Sequence, residues 1–299
     1  MRKYIGIDLG GTNVRAAVVD EYGNILCEKK TRTEADKGPD HVCEKVMTLV
    51  KEVMADEVIQ GIGIGYPGPI EAHTNDILMS TNIPGMEHYP IARKLQETFK
   101  VPVYIDNDAN VAGLAEALVG AGKEYPSIYY VTISTGIGGA FILDGKVISG
   151  RHGHAGEIGN IIIDRDRKKY NHLNAGAVEN EASGTAIVRK GKEVFGDTIE
   201  HAGHVFDLAR QGNTQALEIV ENVARDLAYA FSAIAHAVDP HAFIIGGGVM
   251  AAKDVFFDKM ITYYKEAVHT AMQDIEFKQA QLEEPGIIGA AMLPKSKEN

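Results

Sequence analysis

Three strand-like runs stand near the start of the chain, Tyr4 to Asp8, Asn13 to Asp20 and Ile25 to Thr33, the first of them alternating in apolar and polar positions. Alternation of period two predicts strands, and the intervening LGGT and EYGN carry turn chemistry, so a β-meander is expected. In the stretch 41–57, Val42, Val46, Leu49, Val50, Val53 and Met54 recur at helical spacing and predict an amphipathic helix. GIGIGYPGPI then reads as a strand ending in a Pro/Gly turn, IARKLQETFK as a helix, and VPVYIDNDAN as a strand running into polar residues. A meander followed by alternating strands and helices indicates an α/β layered domain.

The same grammar then recurs. SIYYVTIST, GGAFILDG and KVISG form a second meander over 127–150, with Gly138 and Gly139 echoing Gly10 and Gly11. Helical periodicity covers roughly 183–194, 203–211, 213–237 and 253–272, and AFIIGGG at 242–248 is a strand among them. Two α/β lobes are expected: a small one over 1–117 plus 286–299, closed by a helix at 286–296, and a large one over 118–285. A cleft between two such lobes is a natural place for a small ligand. The apolar face around 216–237 suits either a core or a homodimer contact.

Composition narrows the class. With 299 residues, 45% of them hydrophobic, there is material for a real core, and the 24% charged residues are dispersed. The 41 Asp and Glu against 30 Lys and Arg give a net charge of −11, which opposes nucleic acid and anionic lipid as partners. Cys27 and Cys43 form no CxxC pair, as suits reduced thiols in the cytoplasm. No signal-like or membrane-spanning apolar run occurs, so a cytoplasmic protein is expected.

Several short stretches carry candidate chemistry. IDLGGTNVR supplies Asp8, Gly10, Gly11 and Thr12 at a hairpin turn, and TISTGIGGA supplies Thr135, Gly136, Gly138 and Gly139. Glycines let backbone N–H groups approach an anion, and Asp8 could hold Mg²⁺ through water; an ordinary hairpin uses the same residues. Strand-like residues follow the second turn, so it is no dinucleotide fingerprint, and no Walker consensus occurs. IIGGGVM at 244–250 is a tight turn or a flat surface for a purine. In IDNDAN, Asp106 and Asp108 are potential bases, or one is a helix N-cap. Asn82 in STNIPG and Glu157 in GRHGHAGEIGN suit sugar hydroxyls, or are loop residues. YNHLNAGAVENEASG, 170–184, is by composition either a metal cluster or a solvated loop.

DLGGTNVR, GYPGPI, STNIPG, IDNDAN, TISTGIGGA, HAGEIGN, ENEASGTA and IIGGGV stand in the order and spacing of the ROK family of sugar kinases and repressors, which the chain resembles over nearly its whole length. The resemblance implies an α/β, two-lobed actin-like ATPase (ribonuclease H-like) fold with a central ligand cleft, and ATP-dependent phosphorylation of the 6-hydroxyl of a hexose. Glucose comes first among sugars, then N-acetylmannosamine, then fructose or a β-glucoside; a non-catalytic sugar-sensing regulator is the reading from another class. ROK repressors carry a DNA-binding segment ahead of DxGGT, which here begins at residue 8, so the kinase branch is expected.

By the same resemblance Asp108 is the general base and Asp106 a cap or scaffold. Asn82, Asn107, Asp108, Glu157 and Glu179 would contact the sugar, with Gly68 lining its pocket and Asn160 near its second carbon. Asp8, Gly10, Gly11, Thr12, Thr135 and Gly136 would address ATP phosphates and Mg²⁺, with Asp8 holding the metal through water. Gly247 and Gly248 would lie near the nucleoside, and Ser183 with Gly184 would start a helix close by. Many family members carry a structural zinc; its ligand positions fall here on Asn160, Tyr170, His172 and Ala177. No zinc is therefore expected, although His152, His154 and His172 with Glu157 have admissible ligand spacing. Homodimers are usual for ROK kinases.

Overall fold

The structure is a computed structural model describing residues 1–71 and 74–298. Ala72, His73 and Asn299, which the predicted small lobe includes, lie outside the described residues. In chain order the elements are β1 (Lys3–Leu9), β2 (Asn13–Asp20), β3 (Ile25–Arg32), α1 (Pro39–Met54), β4 (Ile62–Tyr66), β5 (Ile70–Glu71), β6 (Asp76–Ile77), α2 (Ile91–Phe99), β7 (Val103–Asn107) and α3 (Asp108–Val119). There follow β8 (Ser127–Ile133), β9 (Ile137–Leu143), β10 (Lys146–Val147), α4 (Val178–Ala182), α5 (Gly184–Phe195), α6 (Ala202–Arg210), α7 (Thr214–Val238), β11 (Ala242–Gly246), α8 (Lys253–Ala267), β12 (Glu276–Gln279) and α9 (Pro285–Ser296). Two five-stranded sheets have the orders β3-β2-β1-β4-β7 and β10-β9-β8-β11-β12, the duplicated grammar of the sequence.

The chain divides into two compact units, one of residues 1–128, 140–156 and 280–299, the other of residues 129–139 and 157–279. The first thus takes in 118–128, 140–156 and 280–285 beyond the residues the pattern assigned to it. A physical reason is the buried Glu116 of α3, whose carboxylate accepts the backbone N–H groups of Ala121, Gln281 and Leu282.

In the first unit the apolar stripe of α1, with Val42, Val46, Leu49, Val50 and Val53, shares a core with Ile5, Ile7 and Ile64 of the sheet. The helix α9 packs so closely that side chains are excluded: a Cβ on Gly63 of β4 would meet the Ala290 carbonyl oxygen at 1.8 Å, and one on Gly289 would meet that of Val111 at 1.7 Å. The parallel register Asp8↔Gly65 and Gly65↔Asp106 brings the carboxyl ends of β1, β4 and β7 level with one another.

In the second unit the apolar face of α7 is spent inside the unit, with Ile219, Val223, Leu227, Phe231 and Ile234 buried, so this face is core and not a dimer surface. Phe231 meets Phe243 edge-on at 4.9 Å and Phe277 at 5.4 Å, and Tyr264 joins Phe277 at 4.8 Å. Such pairs add about 0.5–1.5 kcal/mol each beyond the area they bury. The predicted helix over 253–272 ends at Ala267, because Val268 is extended (φ −116°, ψ 162°). The strand expected over 242–248 stops at Gly246, and Gly247 turns the chain at φ 90°. No helix among the described residues is long and apolar enough to cross a membrane.

Candidate active site

At the β1–β2 turn the Gly10 N–H donates to the Asn13 carbonyl, and Thr33 closes the turn from the side, its hydroxyl donating to the Gly10 carbonyl at 2.6 Å and its N–H to that of Thr12 at 2.9 Å. Thr12 is left exposed at the tip. A Cβ on Gly11 would lie 2.6 Å from the Asn82 carbonyl oxygen, so the glycine turn and STNIPG are in contact. Sequence reasoning gave Arg15 no role, yet its Nε and Nη2 both donate to Oδ2 of Asp8, at 3.2 and 2.9 Å, and it is anchored behind by Glu284. The hairpin register, which pairs Asp8 with Arg15, was the signal that could have found it. Asp8 and the Thr12 hydroxyl are hard oxygen donors, of the chemistry that would suit Mg²⁺ held through water.

At the β7–α3 junction the cap of α3 is Asn107, whose Oδ1 accepts the Ala109 N–H at 2.9 Å, and Asp106 is the scaffold. Buried Asp106 accepts the Asn107 N–H at 2.8 Å and the Asn110 amide at 2.7 Å, both on Oδ1; burial pushes its carboxyl above the usual range despite these bonds. The Asn107 side chain donates to the Gly68 carbonyl at 3.2 Å, joining two of the predicted sugar-contacting positions. Asp108 is the first residue of α3 and exposed, presented just beyond the level ends of β1, β4 and β7. In open α/β sheets that end is where ligands bind.

In the second unit Glu179 of α4 faces the β8–β9 turn. Its Oε2 accepts the Ile137 N–H at 2.8 Å, and Cβ atoms on Gly136 and Gly159 would approach that same oxygen at 2.6 and 3.0 Å. The Ile137 N–H is thereby committed to a carboxylate, so in this turn the backbone serves Glu179 as well as any anion. Ser183 caps α5, its Oγ accepting the Ala186 N–H, while the Gly184 N–H donates to the Ser134 carbonyl and Thr185 Oγ1 to that of Thr135. The helix start thus sits against the turn. Beside it opens a cavity of about 490 Å³ lined by Thr135, Gly184, Thr185, His201, Phe206 and Gly248. Gly247, next to the lining residue Gly248, has φ 90°, and a Cβ there would stand 2.3 Å from the Ile133 carbonyl oxygen, so only glycine fits. Glu157 is exposed immediately before the short turn Ile158–Asn160.

The zinc-ligand positions of the resemblance are otherwise employed. Asn160 Oδ1 accepts the Asn174 N–H at 2.8 Å, the Tyr170 ring lies 3.8 Å beneath the Arg189 guanidinium, Ala177 is buried in a bridge with Ile162, and His172 is exposed. An amide, a phenol and a methyl group do not make a structural zinc site. Among the described residues no group of three or more His, Cys, Asp or Glu could hold a metal ion.

Known proteins resemble this chain along its whole length. The glucokinase of Thermotoga maritima is 31% identical over 312 aligned residues, covering 99% of this chain and 98% of that protein. Among solved structures, the ROK hexokinase from Thermus thermophilus matches with a TM-score of 0.87 at 31% identity over 97% of both chains. A ROK family glucokinase from Streptomyces griseus, solved in complex with glucose and AMPPNP, matches with a TM-score of 0.73 at 29% identity over 97% of this chain and 98% of that one. A model of the ROK family spans residues 4–297, and the chain belongs to that family.

Proposed function

We propose that this chain is an ATP-dependent sugar kinase that phosphorylates the 6-hydroxyl of a hexose, glucose-like sugars being favoured, with Asp108 as general base. The observation that supports this most is the level alignment of the carboxyl ends of β1, β4 and β7, which puts Asp8 and the exposed Asp108 at one end of one sheet. Asn107, fixed to the Gly68 carbonyl and capping α3, orients the residue after it. The kinase activities of the relatives agree with this reading.

Asp108 would accept the proton of the attacking hydroxyl as its oxygen bonds to the γ-phosphorus and the bond to the β-phosphate oxygen breaks, releasing ADP. Phosphoryl transfer has a loose transition state, so most of the catalysis is positioning and charge stabilisation. Gly68, Asn82, Asn107, Glu157, Asn160 and Glu179 are assigned to the sugar. Asp8, Gly10, Gly11, Thr12, Thr135 and Gly136 are assigned to the phosphates, and Gly247 with Gly248 to the nucleoside beside the apolar cavity. Mg²⁺, held through water by Asp8, would neutralise charge on the phosphate oxygens.

An ADP-release assay over glucose, N-acetylmannosamine, fructose and a β-glucoside tests the reading. Asp108→Asn is expected to lower kcat by ~10² to 10⁴ while leaving sugar affinity largely intact. Near-full turnover in that variant would remove Asp108 from the role of base. Sugar binding without turnover in the wild type would point to a sensor.

A further inference from the structure

The segment 161–177 leads into α4, a helix of five residues, Val178–Ala182, too short to be stable by itself. Yet this helix carries Glu179, whose carboxylate is placed against the β8–β9 turn. What fixes it is a set of charges from four separate segments. Arg167, from the loop, makes a two-pronged contact with Asp226 of α7, Nη1 at 2.7 Å and Nη2 at 2.8 Å, and its Nη1 also lies 3.1 Å from Oε2 of Glu181. Lys190 of α5 reaches the same Glu181 oxygen at 2.9 Å and donates to the Glu181 carbonyl at 2.8 Å. Both carboxylates are buried, with side chains 6% and 1% exposed for Glu181 and Asp226. Two cations therefore face two buried anions within one small volume, and Arg167 also donates through Nε to the more exposed Asp164 at 3.2 Å.

Around this net the loop is tied at further points. Arg189 donates to the Asn180 carbonyl at 2.7 Å while lying over Tyr170, and the Asn180 side chain donates to the Tyr170 carbonyl at 3.1 Å. The planar guanidinium fork fixes direction as well as distance, which a point charge does not. Glu181 lies two residues from Glu179 on the same short helix, so whatever fixes Glu181 fixes the backbone that aims Glu179.

We propose that Arg167, with Glu181, Lys190 and Asp226, positions the Glu179 carboxylate for sugar binding, and that this ionic net replaces a structural metal in holding the loop. The proposal rests on the reading of Glu179 as a sugar contact. Arg167 and Asp226 are positioning residues; neither touches the sugar.

The test is steady-state kinetics on the full chain with the best sugar of the panel and Mg-ATP. Arg167→Met is expected to raise the sugar KM by about tenfold or more, the effect of weakening one hydrogen bond to a charged carboxylate. Loss of binding that is uniform through the reaction leaves kcat and the KM for ATP nearly unchanged. Arg167→Lys, which keeps the charge and loses the fork, is expected to recover little of the loss, and added zinc to recover none. A sugar KM within twofold of the wild type in Arg167→Met, even with a lowered melting temperature, overturns the proposal. Should that variant fail to fold, Arg167→Lys and Asp226→Asn are read for the same KM rise, and its absence counts equally against it. Glu179→Gln separates the two levels: if it raises the sugar KM and Arg167→Met does not, the net is no positioning device and the sugar contact stands. If Glu179→Gln leaves the KM unchanged, the reading of Glu179 falls and this proposal with it.

Discussion

Buried carboxylates are answered in two ways in this molecule. In the first unit Glu116, 0% exposed, is met by three backbone N–H groups, those of Ala121, Gln281 and Leu282. Asp20 is met by the N–H groups of Tyr22 and Asn24 and the Asn24 amide, and Asp106 by the Asn107 N–H and the Asn110 amide. In the second unit Glu181 and Asp226 are met by the full charges of Arg167 and Lys190. Backbone N–H groups come from segments whose path is already set by the sheet and by the close approach of α9. Where the chain has little regular structure to supply such groups, around 161–182, long cationic side chains reach across instead. The charge type thus follows how much fixed backbone is within reach.

The strongest challenge to this contrast is to remove one charge from the net. Asp226→Asn leaves Glu181 as the one buried anion facing two cations, with the half-exposed Asp164 still on Arg167, and breaking a buried pair typically costs 3–5 kcal/mol. Arg167 retains about a third of its side-chain exposure, 31%, so water can recover part of its charge and a loss of about 3 kcal/mol is expected. Urea unfolding measures it; a loss under about 1 kcal/mol would put the net on a par with surface ion pairs.

Glu116→Gln asks the same of the first unit without changing shape. One amide oxygen can still accept two of the three N–H groups, but the amide nitrogen then faces a donor. An unsatisfied buried donor costs about 1–3 kcal/mol, so a smaller loss is expected, concentrated in the attachment of 280–282. Hydrogen exchange at Ala121, Gln281 and Leu282 reads it out directly. Unchanged protection there would mean that the carboxylate is not what holds those segments.

Much of this architecture is written locally. The helices α1, α2 and α7 are legible because each buries one face at helical spacing, and the glycine motifs are legible because turns and close contacts leave no room for a Cβ, as at Gly247 and Gly136. Elements without a strong period escape: β12 reads EFKQ with no fully buried residue, and α4 is too short to show one. Asn107 rather than Asp106 caps α3 because the strand carries Asp106 inward, a distinction invisible when both side chains can cap. Arg15 was within reach of the sequence through hairpin register, whereas Arg167 and Asp226 are 59 residues apart and meet only through the fold.

The finest distinction lies at Asp106, a buried carboxylate whose hydrogen bonds come from neutral donors, with Lys297 acting on it as a charge only. The Asn107 N–H and the Asn110 amide both donate to Oδ1, so Asp106→Asn can keep these bonds, and at neutral pH its stability is expected to lie within about 1 kcal/mol of the wild type. The difference should depend on pH. Burial raises the folded-state pKa of Asp106 above its unfolded value of about 3.9, so the native state holds this proton more tightly than the unfolded chain. The resulting contribution to wild-type stability is fully present below the unfolded pKa and is lost as pH rises through the folded one. The wild type should therefore lose stability relative to Asp106→Asn on going from about pH 4 upward, and the difference should level off once the carboxyl is ionised in both states. Paired denaturation curves across that window, in which all other titrating groups cancel, measure this slope. A flat difference would mean that the N–H donors offset burial, and a slope of opposite sign that they outweigh it and make the ionised form the preferred one.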